Sequence, residues 1–315
     1  MYYDPEKVRA GGPSQFITPP GETWAQLSRR VLSPGVRFRL RLLQADLGNF
    51  SLLEHRNRAD GFLVTAKHSG SQWLKYMLSV GIAQQHNVQP PQYATGPHAD
   101  DIIGHPARKR RYPDLPRIAT SHTIPSALMR YVPAGRAPIT VLIRNVEPAL
   151  LAGYRKWQGH YDTLAESPRA AFAAGDPGGR RYIADAWWYV HFFNRWGGWA
   201  KADPDRIQVV RYEDLCADPE TTLVRVSAHL GLKWAPASLA AALAFVSPDS
   251  IRDLQDPAAV DRIFSPPDSV AGGFSEQDRA AMRAILRRHL RHDFGYGIIA
   301  AGGVSFAGEP PNERG

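Results

Sequence analysis

Cysteine occurs once, at Cys216. An intrachain disulfide is therefore impossible and a cysteine-based metal cluster is excluded; a lone thiol fits a reducing, cytoplasmic setting. Long apolar runs are missing too. Nowhere do about 18 uncharged apolar residues follow one another, so no membrane-spanning helix is expected. The opening residues Met1-Tyr2-Tyr3-Asp4-Pro5-Glu6 lack a positively charged stretch followed by an apolar one, which argues against an export leader. The GxxxxGK[ST] spacing of a Walker A loop is absent, as is any internal repeat.

What is present is enough hydrophobic material for a sizeable core: 315 residues, 43% of them hydrophobic, read as one domain. An excess of 38 Lys and Arg over 30 Asp and Glu, a formal charge of +8, favours anionic partners without choosing among them. Residues 1–60 read as an irregular arm and lead-in, 61–300 as the domain and 301–315 as a loose tail. Within the arm, Val36 to Phe50 alternates Arg37, Arg39 and Arg41 with apolar residues and fits a strand, a helix or a surface-seeking amphipathic segment.

Short apolar runs at Gly61 to Thr65, Arg117 to Thr120, Ile139 to Ile143 and Ile207 to Arg211 are spaced widely enough for crossover helices, which predicts a parallel α/β sheet. Helices are expected after the first strand and over Glu147 to Gln158, Arg181 to Trp196, Pro219 to Leu230, Pro236 to Val246 and Ser275 to Leu290, the last opened by Ser275 as N-cap.

The segment between the first strand and its helix reads Ala66-Lys67-His68-Ser69-Gly70-Ser71-Gln72-Trp73. Gly70 lets the backbone approach a ligand, N–H groups converge at the helix start, and Ser69 and Ser71 carry hydroxyls, which together suit a phosphate. An ordinary strand-to-helix turn with a serine cap fits the same residues.

A wider pattern separates the two. Val64 to Trp73 resembles the 5′-phosphosulfate loop of the sulfotransferases, V-T-Y-P-K-S-G-T-T-W, without a gap. Ser121-His122-Thr123-Ile124-Pro125 is similar to the family's K-T-H-L-P segment. Val141-Leu142-Ile143-Arg144-Asn145 is similar to its strand ending in R-N. Arg211-Tyr212-Glu213-Asp214-Leu215, followed by Asp218-Pro219 and Leu230-Gly231, resembles Y-E-D-L…D-P…F-L-G, and Gly272-Gly273-Phe274 stands where G-x-W is frequent. The resemblance implies a P-loop-like three-layer α/β domain with a central parallel sheet flanked by helices. It also implies transfer of a sulfuryl group from 3′-phosphoadenosine 5′-phosphosulfate (PAPS), as co-substrate, to a hydroxyl or amine of a small-molecule, lipid or glycan acceptor. On this resemblance His122 is the base, Lys67 or His68 the cation at the departing phosphate, and Ser69, Gly70, Ser71, Gln72, Trp73, Arg144 and Tyr212 the nucleotide-binding set. A non-catalytic nucleotide-binding protein of this fold, or a sulfotransferase with another donor, is the alternative.

Three positions depart from the family pattern. His68 stands at the loop lysine, with Lys67 one place earlier; Ala152 replaces a serine expected eight residues after the R-N arginine; and Pro267-Asp268-Ser269 replaces a basic stretch. These losses fall mainly on the 3′-phosphate side, where Arg144 is kept and Arg252 or Arg262 is a candidate substitute.

Other features read more plainly. Arg108-Lys109-Arg110-Arg111 is a short solvated run, so nucleic acid is not expected, while peripheral membrane contact stays open, as does a homodimer. Trp188, Phe192 and Trp196 repeat at helical spacing and read as core, with Trp187 and His191 on a neighbouring face available to an acceptor pocket. His98, Asp100, Asp101 and His105 lack a fixed ligand spacing, and no metal is expected.

Overall fold

In the computed structural model of the chain, the residues described are 36, 39–40, 42–43, 58–96, 98–105, 111–128, 137–161, 185–245, 254, 256 and 274–299. Gly61–Thr65 forms β1, Ser71–Gln85 α1, Ile118–Ser121 β2, Ile139–Ile143 β3, Val146–Tyr161 α2, Ala186–Ala202 α3 and Ile207–Arg211 β4. Tyr212–Ala217 (α4), Pro219–His229 (α5), Pro236–Leu243 (α6) and Glu276–His289 (α7) follow.

The strands pair in the order β2-β1-β3-β4, all parallel, with Gly61 opposite Ile118, Phe62 opposite Ile139, and Ile139 opposite Ile207. Every residue of β1 and β3 is buried, as expected of central strands covered on both faces. Side chains alternate across the pleat and so feed two cores. Phe62, Val64, Val141 and Ile143 pack with α3, the start of α2 and α7. Leu63, Leu142 and Val210 face α1, α5 and α6. This is the three-layer arrangement the sequence implied.

The helix starts follow local chemistry. Asp185 caps α3 by accepting the Trp188 N–H, Asp218 caps α5 by accepting from Thr221, and Ser275 and Asp278 form a reciprocal capping box on α7. α3 begins later and runs further than the expected span of Arg181 to Trp196. It passes through Gly197, where a Cβ would stand 2.4 Å from the His292 ring, so the missing side chain is what admits that ring. The described residues of the arm, 36, 39–40 and 42–43, are helical, and Leu42 packs on the first core while Val36, Leu40 and Leu43 are exposed. The basic run 108–110, Arg252, Arg262 and 267–269 lie outside the described residues.

Candidate functional site

The carboxyl ends of the strands carry the chemistry-bearing residues. After β1, the chain turns through residues 66–70 with two left-handed positions, His68 at φ 58° and Gly70 at φ 82°. Such alternation bends successive N–H groups towards one side and makes an anion-binding concavity. Gly70 is the N-cap of α1 and brings no side chain to bond that helix end. The N–H groups of its first turn, from Ser71 to Trp73, are therefore not occupied by a capping side chain. A Cβ on Gly70 would lie 2.6 Å from Cδ2 and Cε2 of Tyr212, so both the backbone sign and the neighbouring ring require glycine.

Ser69 behaves differently from a ligand-facing serine. It is buried, and its hydroxyl donates to the Ala66 carbonyl at 2.5 Å, closing the loop on itself and leaving its main chain as the part directed elsewhere. Gln72 Oε1 is shut off from solvent and accepts no hydrogen bond among the described residues. Trp73 is buried, donates Nε1 to the Phe245 carbonyl at 2.8 Å, and meets the Tyr212 ring edge-on at 5.9 Å.

Lys67 and His68 diverge. The Lys67 ammonium lies 5.5 Å from the centre of the Trp188 ring, on the α3 side, and the Lys67 carbonyl accepts from the Tyr189 hydroxyl at 2.5 Å. His68 is half-buried with Nε2 solvent-excluded, and its carbonyl accepts from Arg144 Nη1 at 3.3 Å.

After β2 comes His122, exposed at its ring yet tied to β1 through one nitrogen. Nδ1 lies 2.8 Å from the Thr65 carbonyl oxygen and 3.0 Å from Thr65 Oγ1. A carbonyl only accepts, so Nδ1 carries the proton and Nε2 holds the lone pair of the neutral ring. Helix α3 fixes the following segment: Trp196 Nε1 donates to the Thr123 carbonyl at 3.1 Å and Arg195 Nη1 to that of Pro125 at 2.9 Å.

After β3, Arg144 places its guanidinium 4.5 Å from the Tyr212 ring centre, and its Nε is buried without an acceptor among the described residues. After β4, Tyr212 stands between Arg144, Gly70 and Trp73, and burial, ahead of the Cys216 thiol, pushes its phenol up to about 12. Tyr212 is therefore a neutral ring and hydroxyl at any ordinary pH. Ala152 lies on α2, half-buried.

Two neighbours matter that the sequence reading did not single out. Glu213 accepts the Asn145 N–H at 3.0 Å and the Tyr296 hydroxyl at 2.6 Å, joining the ends of β3 and β4 to the C-terminal segment. Tyr189, fully buried, anchors the loop from α3. Of the two, only Glu213 was visible, as the E in Y-E-D-L, because all three contacts join residues distant in the chain. Trp187 and His191, available to an acceptor pocket on the sequence reading, are buried, and Trp187 packs 4.7 Å from His289 on α7. Asp100 pairs with Lys75 at 2.8 Å, while Asp101 binds His98 and Arg111, so these carboxylates face cations.

The model of the sulfotransferase domain matches residues 58–255. No curated protein sequence matches the chain. Among solved structures, mouse sulfotransferase SULT7A1 complexed with PAP superposes with a TM-score of 0.51 at 15% identity, covering 80% of this chain and 89% of that one. A sulfotransferase from Alicyclobacillus acidocaldarius gives a TM-score of 0.33 at 16% identity over 63% of this chain and 97% of its own. Retinol dehydratase in complex with androsterone and inactive cofactor PAP gives 0.46 at 11%, covering 78% and 86%.

Proposed function

The chain belongs to the sulfotransferase domain family, and from that premise we propose that it transfers a sulfuryl group from PAPS to a hydroxyl or amine of a small-molecule, lipid or glycan acceptor. The observation that carries the reading is the His122 Nδ1–H bond to the Thr65 carbonyl at 2.8 Å. It fixes the basic nitrogen at the strand end where the loop 66–70 begins. A group meant to take a proton there needs this tautomer and this anchoring.

In the proposed step, the acceptor oxygen or nitrogen bonds to sulfur while the bond from sulfur to the 5′-phosphate oxygen breaks. The acceptor proton passes to His122 Nε2, and the electron pair leaves with the phosphate oxygen of PAP. The first-turn N–H groups of α1 and a protonated His68 are the groups suited to the charge that oxygen gains. His68 is preferred over Lys67 because the Lys67 ammonium is drawn to the Trp188 face. On the nucleotide side, Arg144 with its buried, unmatched Nε suits a phosphate, and Tyr212 and Trp73 supply flat apolar surface for a base. Cys216 as the only cysteine favours a reducing compartment, and a cytoplasmic setting belongs to the same reading.

A second reading, a nucleotide-binding protein without transfer, draws on two observations: Arg144 Nη1 is engaged with the His68 carbonyl, and His68 stands where the family has its loop lysine. Incubation of the purified chain with 35S-labelled PAPS and fractionated cell extract separates them. A labelled acceptor that disappears with His122→Ala supports transfer. PAP binding by calorimetry without any labelled product supports the binding protein, and no PAP binding at millimolar nucleotide removes both.

A further inference from the structure

The loop 66–70 has its two central carbonyls taken from outside. Tyr189 on α3 donates to the Lys67 oxygen at 2.5 Å, and Arg144 at the end of β3 donates to the His68 oxygen at 3.3 Å. No described peptide bond is cis. In a planar trans peptide the C=O and the following N–H point in opposite directions. Fixing the Lys67 carbonyl towards α3 therefore fixes the His68 N–H away from α3, and fixing the His68 carbonyl towards Arg144 likewise turns the Ser69 N–H away from Arg144. The left-handed φ of 58° at His68 is a conformation a non-glycine residue holds only when its surroundings impose it. Tyr189 is well suited to impose it. Its ring is fully buried, meets Trp188 edge-on at 5.1 Å and Phe193 at 6.4 Å, and follows directly on the capped first turn of α3, so the hydroxyl has little freedom to be elsewhere.

We propose that Tyr189 is a positioning residue for the sulfuryl-donor loop: by holding the Lys67 carbonyl it presets the His68 N–H as a donor to the 5′-terminal phosphate of the nucleotide. This rests on the PAPS reading above. The role is carried by one hydroxyl, since the ring packs in the core whether or not it is a phenol. Burial also drives the phenol's pKa strongly upward, so the donor proton stays in place across the working range of pH.

The test uses the full chain and two nucleotides, PAP and adenosine 3′-monophosphate, which lacks the 5′-phosphate. Tyr189→Phe removes the hydroxyl and keeps the ring. Calorimetry should show PAP weakened about tenfold, from loss of one preset charge-assisted contact, with adenosine 3′-monophosphate within twofold of wild type. Leu286→Ala, on α7 in the same core, serves as the packing control: it should lower the melting temperature and leave the affinity for both nucleotides unchanged. Tyr189→Phe binding PAP as tightly as wild type overturns the proposal. So does an equal loss for both nucleotides, which is what a general packing defect produces. Wild-type protein that binds neither nucleotide refutes the donor reading itself, and the proposal with it.

Discussion

Gly70→Ala asks two things of the loop at once, and they are separable. The backbone there sits at φ 82°, where a side chain costs about 1–2 kcal/mol. The new methyl would also stand 2.6 Å from two carbons of the Tyr212 ring, an overlap that costs about 1–3 kcal/mol when packed neighbours must shift. The single variant should therefore lose about 2–5 kcal/mol in guanidinium unfolding, enough to be plain yet short of abolishing a domain stable by about 5–15 kcal/mol. In a Tyr212→Ala background the overlap is gone, and the same Gly70→Ala change should cost only the backbone part, about 1–2 kcal/mol. PAP affinity should fall in both variants that carry Gly70→Ala, because Gly70 caps the helix proposed to meet the phosphate. An equal cost of Gly70→Ala in both backgrounds would refute the reasoning, since the ring would then not be what requires glycine.

Three further outcomes are expected. His122→Ala should lower kcat about 10²- to 10⁴-fold with PAP affinity unchanged by calorimetry, because the ring is tied to β1 and exposed rather than built into the nucleotide loop; a matching loss of PAP binding would contradict this. His68→Ala should reduce kcat about 10²-fold and Lys67→Ala much less, measured under saturating donor, and the reverse ranking would place Lys67 at the departing phosphate. Burial, followed by neighbouring cations, lowers the pKa of His289 and His292 below the ordinary 6.5. The unfolded chain therefore takes up protons first as pH falls, so this stability is complete above about 6.5 and is lost below it. Melting curves from pH 8 to 5 should show the drop, and His292→Gln should lessen it; a flat profile would contradict the assignment.

Much of the frame could be read in advance because it rests on local causes. Gly61–Thr65 and Ile139–Ile143 are buried on both faces and so appear as unbroken apolar runs. Ser275 and Asp278 announce the start of α7 through bonds only three residues apart. The limits of α3 were less legible: the expected span was Arg181 to Trp196, whereas the helix starts after the Asp185 cap and passes through Gly197, where the His292 ring lies against it. The site divides the same way. Gly70 and the order of Ser121 to Pro125 after the loop were visible in the motif, whereas Tyr189 on the Lys67 carbonyl joins residues 122 apart. For Trp187 periodicity fixes which face the residue shares but not which partner meets that face, and His289 on α7 is one that does.

The strand order β2-β1-β3-β4 has a consequence for how such a protein changes. Its four carboxyl ends deliver His122, the loop 66–70, Arg144 and Tyr212 in that same lateral sequence. Neighbouring strands are about 4.8 Å apart, so the sheet acts as a ruler about 14 Å long with one mark per strand. The groups proposed for the nucleotide occupy the marks of β1, β3 and β4, while the proposed base stands alone at the outer mark on β2. Chain inserted around β2 can therefore be exchanged to suit a new acceptor while the spacing of the other three marks stays fixed by backbone hydrogen bonds. Drift of acceptor preference should thus collect on one side of the sheet and leave the donor grip untouched.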